Sequence, residues 1–172
     1  MNKIILYPGP VKSGKTSSLF SLVQNRNDMC GILTPLIDEK KYLYNIQTGE
    51  RRLLEADAGN SEIVTVGKYK FKQDVFDWGR EVLKSALQTT ASYLIIDEIG
   101  PLEFEGKGLS PAVDEIINNS TTHSKNFIIV VRESLTDKFF EHFQIDRSTV
   151  NYFSDHNFLV LLEKLLLTSY FI

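Results

Sequence analysis

Gly9-Pro10-Val11-Lys12-Ser13-Gly14-Lys15-Thr16 sets two glycines, a lysine and a hydroxyl at the spacing G-x-x-x-x-G-K-T. Without a Cβ, a glycine backbone can turn tightly and come close to a chain of phosphates. Successive N–H groups then point inward as an anion nest, and a helix opening after Gly14 adds the partial positive charge of its N-terminus. Lys15 has the charge and reach for β- and γ-phosphates. The Thr16 hydroxyl suits Mg²⁺, and Ser17 closes the nucleotide-binding segment. Lys12 either adds charge near the phosphates or is solvated.

A second group stands far along the chain. Tyr93-Leu94-Ile95-Ile96 is an apolar run that ends on Asp97-Glu98, and a buried parallel strand reads as such a run. Ligands of open α/β sheets bind beyond the carboxyl ends of the strands. Both carboxylates are therefore expected to face the crevice used by the glycine loop. Asp97 suits a role as direct or water-mediated ligand of Mg²⁺, and Glu98 suits a general base that polarises water. A carboxylate poised over water leans toward hydrolysis rather than transfer to an acceptor. Arg132, after the apolar run Phe127 to Val131, is a third candidate: it could stabilise charge on the γ-phosphate, or pair on the surface with Glu133 or Asp137.

These residues need strands that end on loops. Lys3 to Tyr7 reads as a strand broken by Pro8-Gly9-Pro10, with a helix from Lys15 to Asn25 whose Leu19, Leu22 and Val23 share a face. Gly31 to Ile37 reads as a strand in which Pro35 demands an edge or bulge. Tyr42 to Ile46 and Arg52 to Glu55 flank a turn and read as a hairpin, and Ile63 to Val66 as a short strand. Asp74 to Leu87 is an amphipathic helix. Ser92 to Ile96 and Phe127 to Val131 are buried strands. Ser110-Pro111 and Ser134 with Asp137 resemble helix caps. Val150 to Phe153 reads as a last strand, and a final helix follows, capped by Asp155. Strands alternating with helices imply βαβ units and a mostly parallel sheet, to which the hairpin is an antiparallel addition.

Composition sets limits. The 172 residues, 42% hydrophobic and 24% charged, fit one domain over 1–172 that needs no staple. A formal net charge of −3 speaks against a protein that lives on nucleic acid. Lys68, Lys70 and Lys72, interleaved with Tyr69 and Phe71, are the one feature that speaks for it; the plainer reading is an exposed strand with both rings packed inward. The lone Cys30 rules out an intrachain disulfide and fits a small core residue in a reducing, cytoplasmic setting. The apolar stretch from Phe158 to Ile172 is too short for a membrane span and is interrupted by Glu163 and Lys164. No secretory leader is expected, because the first apolar run stops at Pro8. His123, His142 and His156 lack metal-ligand spacing.

Ile95-Ile96-Asp97-Glu98-Ile99-Gly100-Pro101-Leu102-Glu103 resembles the Asp-Glu-Ile-Gly-x-Leu/Met-Glu signature of a small P-loop nucleoside-triphosphatase family, which includes archaeal and thermophilic bacterial NTPases and the human cancer-related nucleoside-triphosphatase. Gly31-Ile32-Leu33-Thr34-Pro35, the Thr48-Gly49 turn and Val66-Gly67-Lys68-Tyr69 are similar to further segments of that family. The chain departs from it at Ile32, where an aromatic is common, and at Val130-Val131-Arg132, where some members carry His-Arg. The resemblance implies a three-layer α/β P-loop fold with a RecA-like, mostly parallel sheet of about five strands and an antiparallel hairpin addition. It also implies Mg²⁺-dependent hydrolysis of NTPs with broad base tolerance, with Lys15, Thr16, Asp97 and Glu98 in the roles given above. Glu103 belongs to the signature, and Gly100, Gly106 and Gly108 would let its loop move as a lid.

The alternatives are a nucleotide or nucleoside kinase, a nucleotide-binding switch and a nucleic-acid-coupled ATPase. A kinase lid would be arginine-rich, whereas the arginines here (26, 51, 52, 80, 132, 147) do not cluster that way. A guanine switch would carry Asn-Lys-x-Asp, which is missing. Base preference is not encoded in any motif, although Tyr152 and Phe153 are candidate stacking residues. No protein partner is indicated.

Overall fold

Continuous burial along the central strands decides the architecture. A computed structural model describes residues 4–10, 12–57, 59 and 62–152. In chain order the strands and helices are β1 (Ile4–Gly9), α1 (Lys15–Val23), β2 (Met29–Leu33), β3 (Leu36–Ile37), β4 (Lys40–Asn45), β5 (Arg51–Leu53), β6 (Ile63–Val66), β7 (Tyr69–Lys72), α2 (Gln73–Leu87), β8 (Tyr93–Ile99), α3 (Ala112–Asn118), β9 (Asn126–Arg132), α4 (Thr136–Phe143) and β10 (Asn151–Tyr152). Leu6, Cys30, Ile32, Leu94, Ile96, Phe127 and Ile129 pack on one face of the sheet with side chains of α2, α3 and α4. The residues between them (Ile5, Tyr7, Met29, Leu33, Tyr93, Ile95, Ile128 and Val130) pack on the other face with Leu19 and Val23 of α1. Side chains of a strand alternate between its faces, so each apolar run is buried on both sides and the sheet is the middle of three layers.

The strand order is β10-β1-β9-β8-β2-β4-β3. The pairs β10–β1, β1–β9, β9–β8 and β8–β2 are parallel, while β2–β4, β4–β3 and β4–β5 are antiparallel. This is the expected mostly parallel α/β sheet with an antiparallel addition. A second antiparallel pair, β6–β7, is joined to the segment after β5 by a bridge between Glu55 and Phe71. The glycine-loop strand β1 and the carboxylate strand β8 are not neighbours, because β9 lies between them.

Several elements end differently from the sequence expectation. The Gly31–Ile37 strand is split at Thr34-Pro35 into β2 and β3, because Pro35 has no N–H to give a ladder; its carbonyl instead accepts from Tyr42 N–H at 3.0 Å. Helix α1 stops at Val23, and the next turn is tied by Arg26 to Asp28 at 2.6 Å. Neither expected serine cap forms. The Ser110 hydroxyl donates to the Asp114 carboxylate, and α4 is entered through a 3₁₀ turn over Glu133–Leu135 with no side-chain cap. Val11, Phe153, His156, Asp155 and its helix lie outside the described residues. Among the described residues no helix is long and apolar enough to cross a membrane.

Among the described glycines, the one with least room for a side chain is Gly31, opposite Ile95 in the β2–β8 ladder. It has φ of +105°, and a Cβ there would lie 2.1 Å from the Ile95 carbonyl oxygen. Gly31→Ala should therefore cost about 2–4 kcal/mol, from positive-φ strain plus overpacking, read as a lowered denaturant midpoint at unchanged slope. A midpoint equal to wild type would show that β2 can withdraw from β8 without loss.

Candidate active site

The glycine loop leaves β1 at Gly9 and enters α1 at Lys15. Gly14 has φ of +87° at the N-cap, a left-handed conformation that glycine takes without a Cβ penalty. The Lys15 side chain folds back over the loop and is 5% exposed. Its ammonium donates to the Gly9 carbonyl at 2.8 Å, the Pro10 carbonyl at 2.6 Å and the Ser13 hydroxyl at 3.1 Å. Thr16 is half-buried; Lys12, Ser13 and Ser17 are exposed around the mouth of the loop.

Two strands away, β8 carries the carboxylates through a break in its pairing with β9. Ile96 faces Ile129 and Ile99 faces Val131, so β8 uses one residue more than β9 over this stretch. Such a bulge re-aims side chains at a strand end, and Asp97 and Glu98 sit inside it. Asp97 is 0% exposed. Its Oδ2 accepts from the Thr34 N–H at 3.1 Å and the Thr34 hydroxyl at 3.4 Å, while Oδ1 is buried with no hydrogen-bond partner. Burial pushes this carboxyl above its ordinary range and the Glu98 charge adds to that; the Thr34 N–H, the Thr16 hydroxyl and Lys41 pull it back. Thr16 of the loop and Asp97 of the distant strand end are thus within each other's electrostatic reach.

Glu98 is met by side-chain cations instead. Its Oε1 accepts from Arg132 Nε at 3.1 Å, and the Arg132 terminal nitrogen lies 3.1 Å from the same oxygen. Lys41 Nζ approaches that oxygen at 3.7 Å. Arg132 stands at the end of β9, level with Gly9 of β1. It reaches the crevice and is not paired with Glu133 or Asp137, the latter being engaged by Arg147. Glycine loop, Arg132 and Glu98 therefore follow one another across adjacent strand ends.

Sequence reasoning missed Thr34 as the holder of Asp97, and Lys41 altogether. Lys41 is a lysine in an antiparallel strand with no motif around it, so the sequence carries no signal for its role. The profile of the NTPase family matches residues 4–164. The chain belongs to this NTPase family. The nucleoside-triphosphatase THEP1 of Methanocaldococcus jannaschii is 37% identical over 78 residues, which are 45% of this chain and 44% of that protein. The chain thus matches less than half the length of this curated relative. The crystal structure of THEP1 from the hyperthermophile Aquifex aeolicus has the same P-loop fold, with a TM-score of 0.71 at 19% identity over 94% of this chain and 96% of that one.

Cys30 is a buried core thiol whose burial pushes its pKa up. Tyr152 is half exposed beside β1. On β7 only Phe71 packs inward, edge-on to Phe76, while Tyr69 is 52% exposed. The loop after β8 is not the free lid its glycines suggest. Glu103 is 4% exposed; its Oε2 accepts from Gly100 N–H at 2.9 Å and its Oε1 from Leu109 N–H at 3.0 Å. One carboxylate thereby pins both ends of the loop, and a Cβ at Gly108 would lie 2.4 Å from Glu103 Oε1.

Burial holds the Glu103 carboxyl above its ordinary value, against the pull of the Leu109 and Gly100 N–H groups. A carboxyl raised by folding binds more protons folded than unfolded. Its contribution is whole below the unfolded value and shrinks as pH rises through the raised one. Glu103→Gln turns an amide donor toward one of the two N–H groups and should cost about 1–3 kcal/mol. The gap to wild type should narrow as pH rises above the ordinary glutamate range. Denaturant unfolding across pH checks both; a variant as stable as wild type over the whole pH range would contradict the pinning.

Proposed function

We propose that this chain, read as one domain over 1–172, is a Mg²⁺-dependent nucleoside-triphosphatase that hydrolyses the γ-phosphate of NTPs with broad base tolerance. The observation that carries the reading is the alignment of Gly9, Arg132 and Glu98 on neighbouring strand ends. Triphosphate lies along Gly9 to Ser17, against the loop N–H groups and the N-terminus of α1. Lys15, already held over the loop by carbonyls, exchanges these for phosphate oxygens. Glu98 accepts the proton of the attacking water as its oxygen bonds to the γ-phosphorus. The bond from that phosphorus to the β-phosphate oxygen breaks, and nucleoside diphosphate leaves. Arg132 and Lys15 stabilise the charge that develops.

The unpartnered, buried Asp97 Oδ1 near the Thr16 hydroxyl fits a hard cation that takes few protein oxygens and keeps phosphate and water ligands. Thr16 and Asp97 would hold Mg²⁺, which when bound neutralises phosphate charge. Broad base tolerance rests on the likeness to the NTPase family.

A kinase is the second reading. It is favoured by the cleft beside Glu98 and Arg132, whose walls include Leu43, Leu54, Phe71, Phe76 and Leu102 and could seat an acceptor. Phosphate release from ATP, GTP, CTP and UTP, with and without chelation of Mg²⁺, separates the two. Wild type should release phosphate from several NTPs and stop on chelation. Glu98→Gln should bind nucleotide yet turn over about 10²–10⁴-fold more slowly. Wild type that binds NTP but releases no phosphate would overturn the hydrolase reading in favour of transfer.

A further inference from the structure

Glu98 Oε1 carries two cations where one would neutralise it. Arg132 approaches through two nitrogens at 3.1 Å, and Lys41 Nζ stands at 3.7 Å. Lys41 is held for this position. Its N–H donates to Glu55 Oε1 at 3.1 Å and its carbonyl accepts from Leu54 N–H at 2.9 Å. Successive strand residues face opposite sides, so Lys41 turns to the site while exposed Lys40 turns away.

We propose that Lys41 and Arg132 form a two-cation clamp for the terminal phosphate, and that Lys41 makes the site select nucleoside triphosphates over diphosphates. The proposal rests on the nucleotide lying in the Gly9–Ser17 loop as read above. A terminal phosphate carries more negative charge than a single carboxylate and offers several acceptor oxygens. It therefore competes with Glu98 for both cations, and as it wins, Glu98 loses its donors and becomes available to water. A diphosphate lacks that group, so the cations stay on Glu98 and the base stays occupied. One exchange of partners thus serves recognition and activation together.

The test compares binding of ADP and of a non-hydrolysable ATP analogue, with Mg²⁺, in wild type, Lys41→Met, Lys41→Arg and Lys40→Met. Wild type should prefer the triphosphate. Lys41→Met should lose about 10- to 100-fold of that preference, the worth of a charge-assisted hydrogen bond, with ADP affinity unchanged. In turnover, kcat should fall and KM for the triphosphate should rise. Lys41→Arg should restore the preference and Lys40→Met should leave it intact. A merely structural lysine would weaken both nucleotides alike. A second readout uses wild type alone: the triphosphate analogue, but not ADP, should protect Lys41 from amine acylation mapped by mass spectrometry. Retained preference in folded Lys41→Met, or equal protection by both nucleotides, overturns the clamp. If wild type binds the triphosphate preferentially yet releases no phosphate, the hydrolase reading fails while loss of preference in Lys41→Met still supports the clamp.

Discussion

The approach of the glycine loop, Arg132 and Glu98 to one another depends on β9 lying between β1 and β8. Parallel pairing fixes the register on both sides at once: Gly9 faces Arg132, and Val131 faces Ile99 just past the bulge. Backbone hydrogen bonds, not side-chain preferences, therefore set the distance between the glycine loop and the carboxylates. The register cannot slip by one residue, because Ile128 and Val130 belong to one core and Phe127, Ile129 and Val131 to the other. A slip would exchange the two faces of the strand.

Around this frame the site keeps three acidic groups at low exposure, each handled differently. Asp97 is anchored on one oxygen by Thr34 and left open on the other. Glu98 is matched by side-chain cations. Glu103 is matched by backbone N–H groups at both ends of its loop. A buried charge is costly unless paired or hydrogen-bonded, so these arrangements differ in what they permit. Glu103 is satisfied by fixed backbone and serves as a staple. Glu98 is satisfied by long side chains that can change partners. The open oxygen of Asp97 is the kind of atom a hard cation completes.

The antiparallel extension is more than decoration on the parallel core. The chain leaves β2 at Leu33, gives Thr34 to Asp97, turns at Pro35 and returns as β4 with Lys41 facing Glu98. The fold shared with the Aquifex aeolicus THEP1 structure at 19% identity shows that the three-layer architecture does not need identical residues.

The glycine loop, the apolar strands, helix α2 and the two carboxylates at a strand end were legible in the sequence, because each depends on neighbours along the chain. A glycine spacing, a run of branched apolar residues or a helical period is a local property, and local backbone geometry follows from it. The family signature at Asp97 to Glu103 was legible too, but not the physical work of Glu103, whose partners Gly100 and Leu109 are joined to it only by the way the loop closes. The strand order, the bulge beneath Asp97 and Glu98, the pairing of Arg132 with Glu98 and the arrival of Lys41 were decided by tertiary structure alone. The physical reason is that each joins segments distant in sequence through sheet registers and long side chains. No spacing along the chain encodes which strand lies beside which, so a lone lysine in a hairpin strand gains its meaning only when the sheet brings it to a carboxylate.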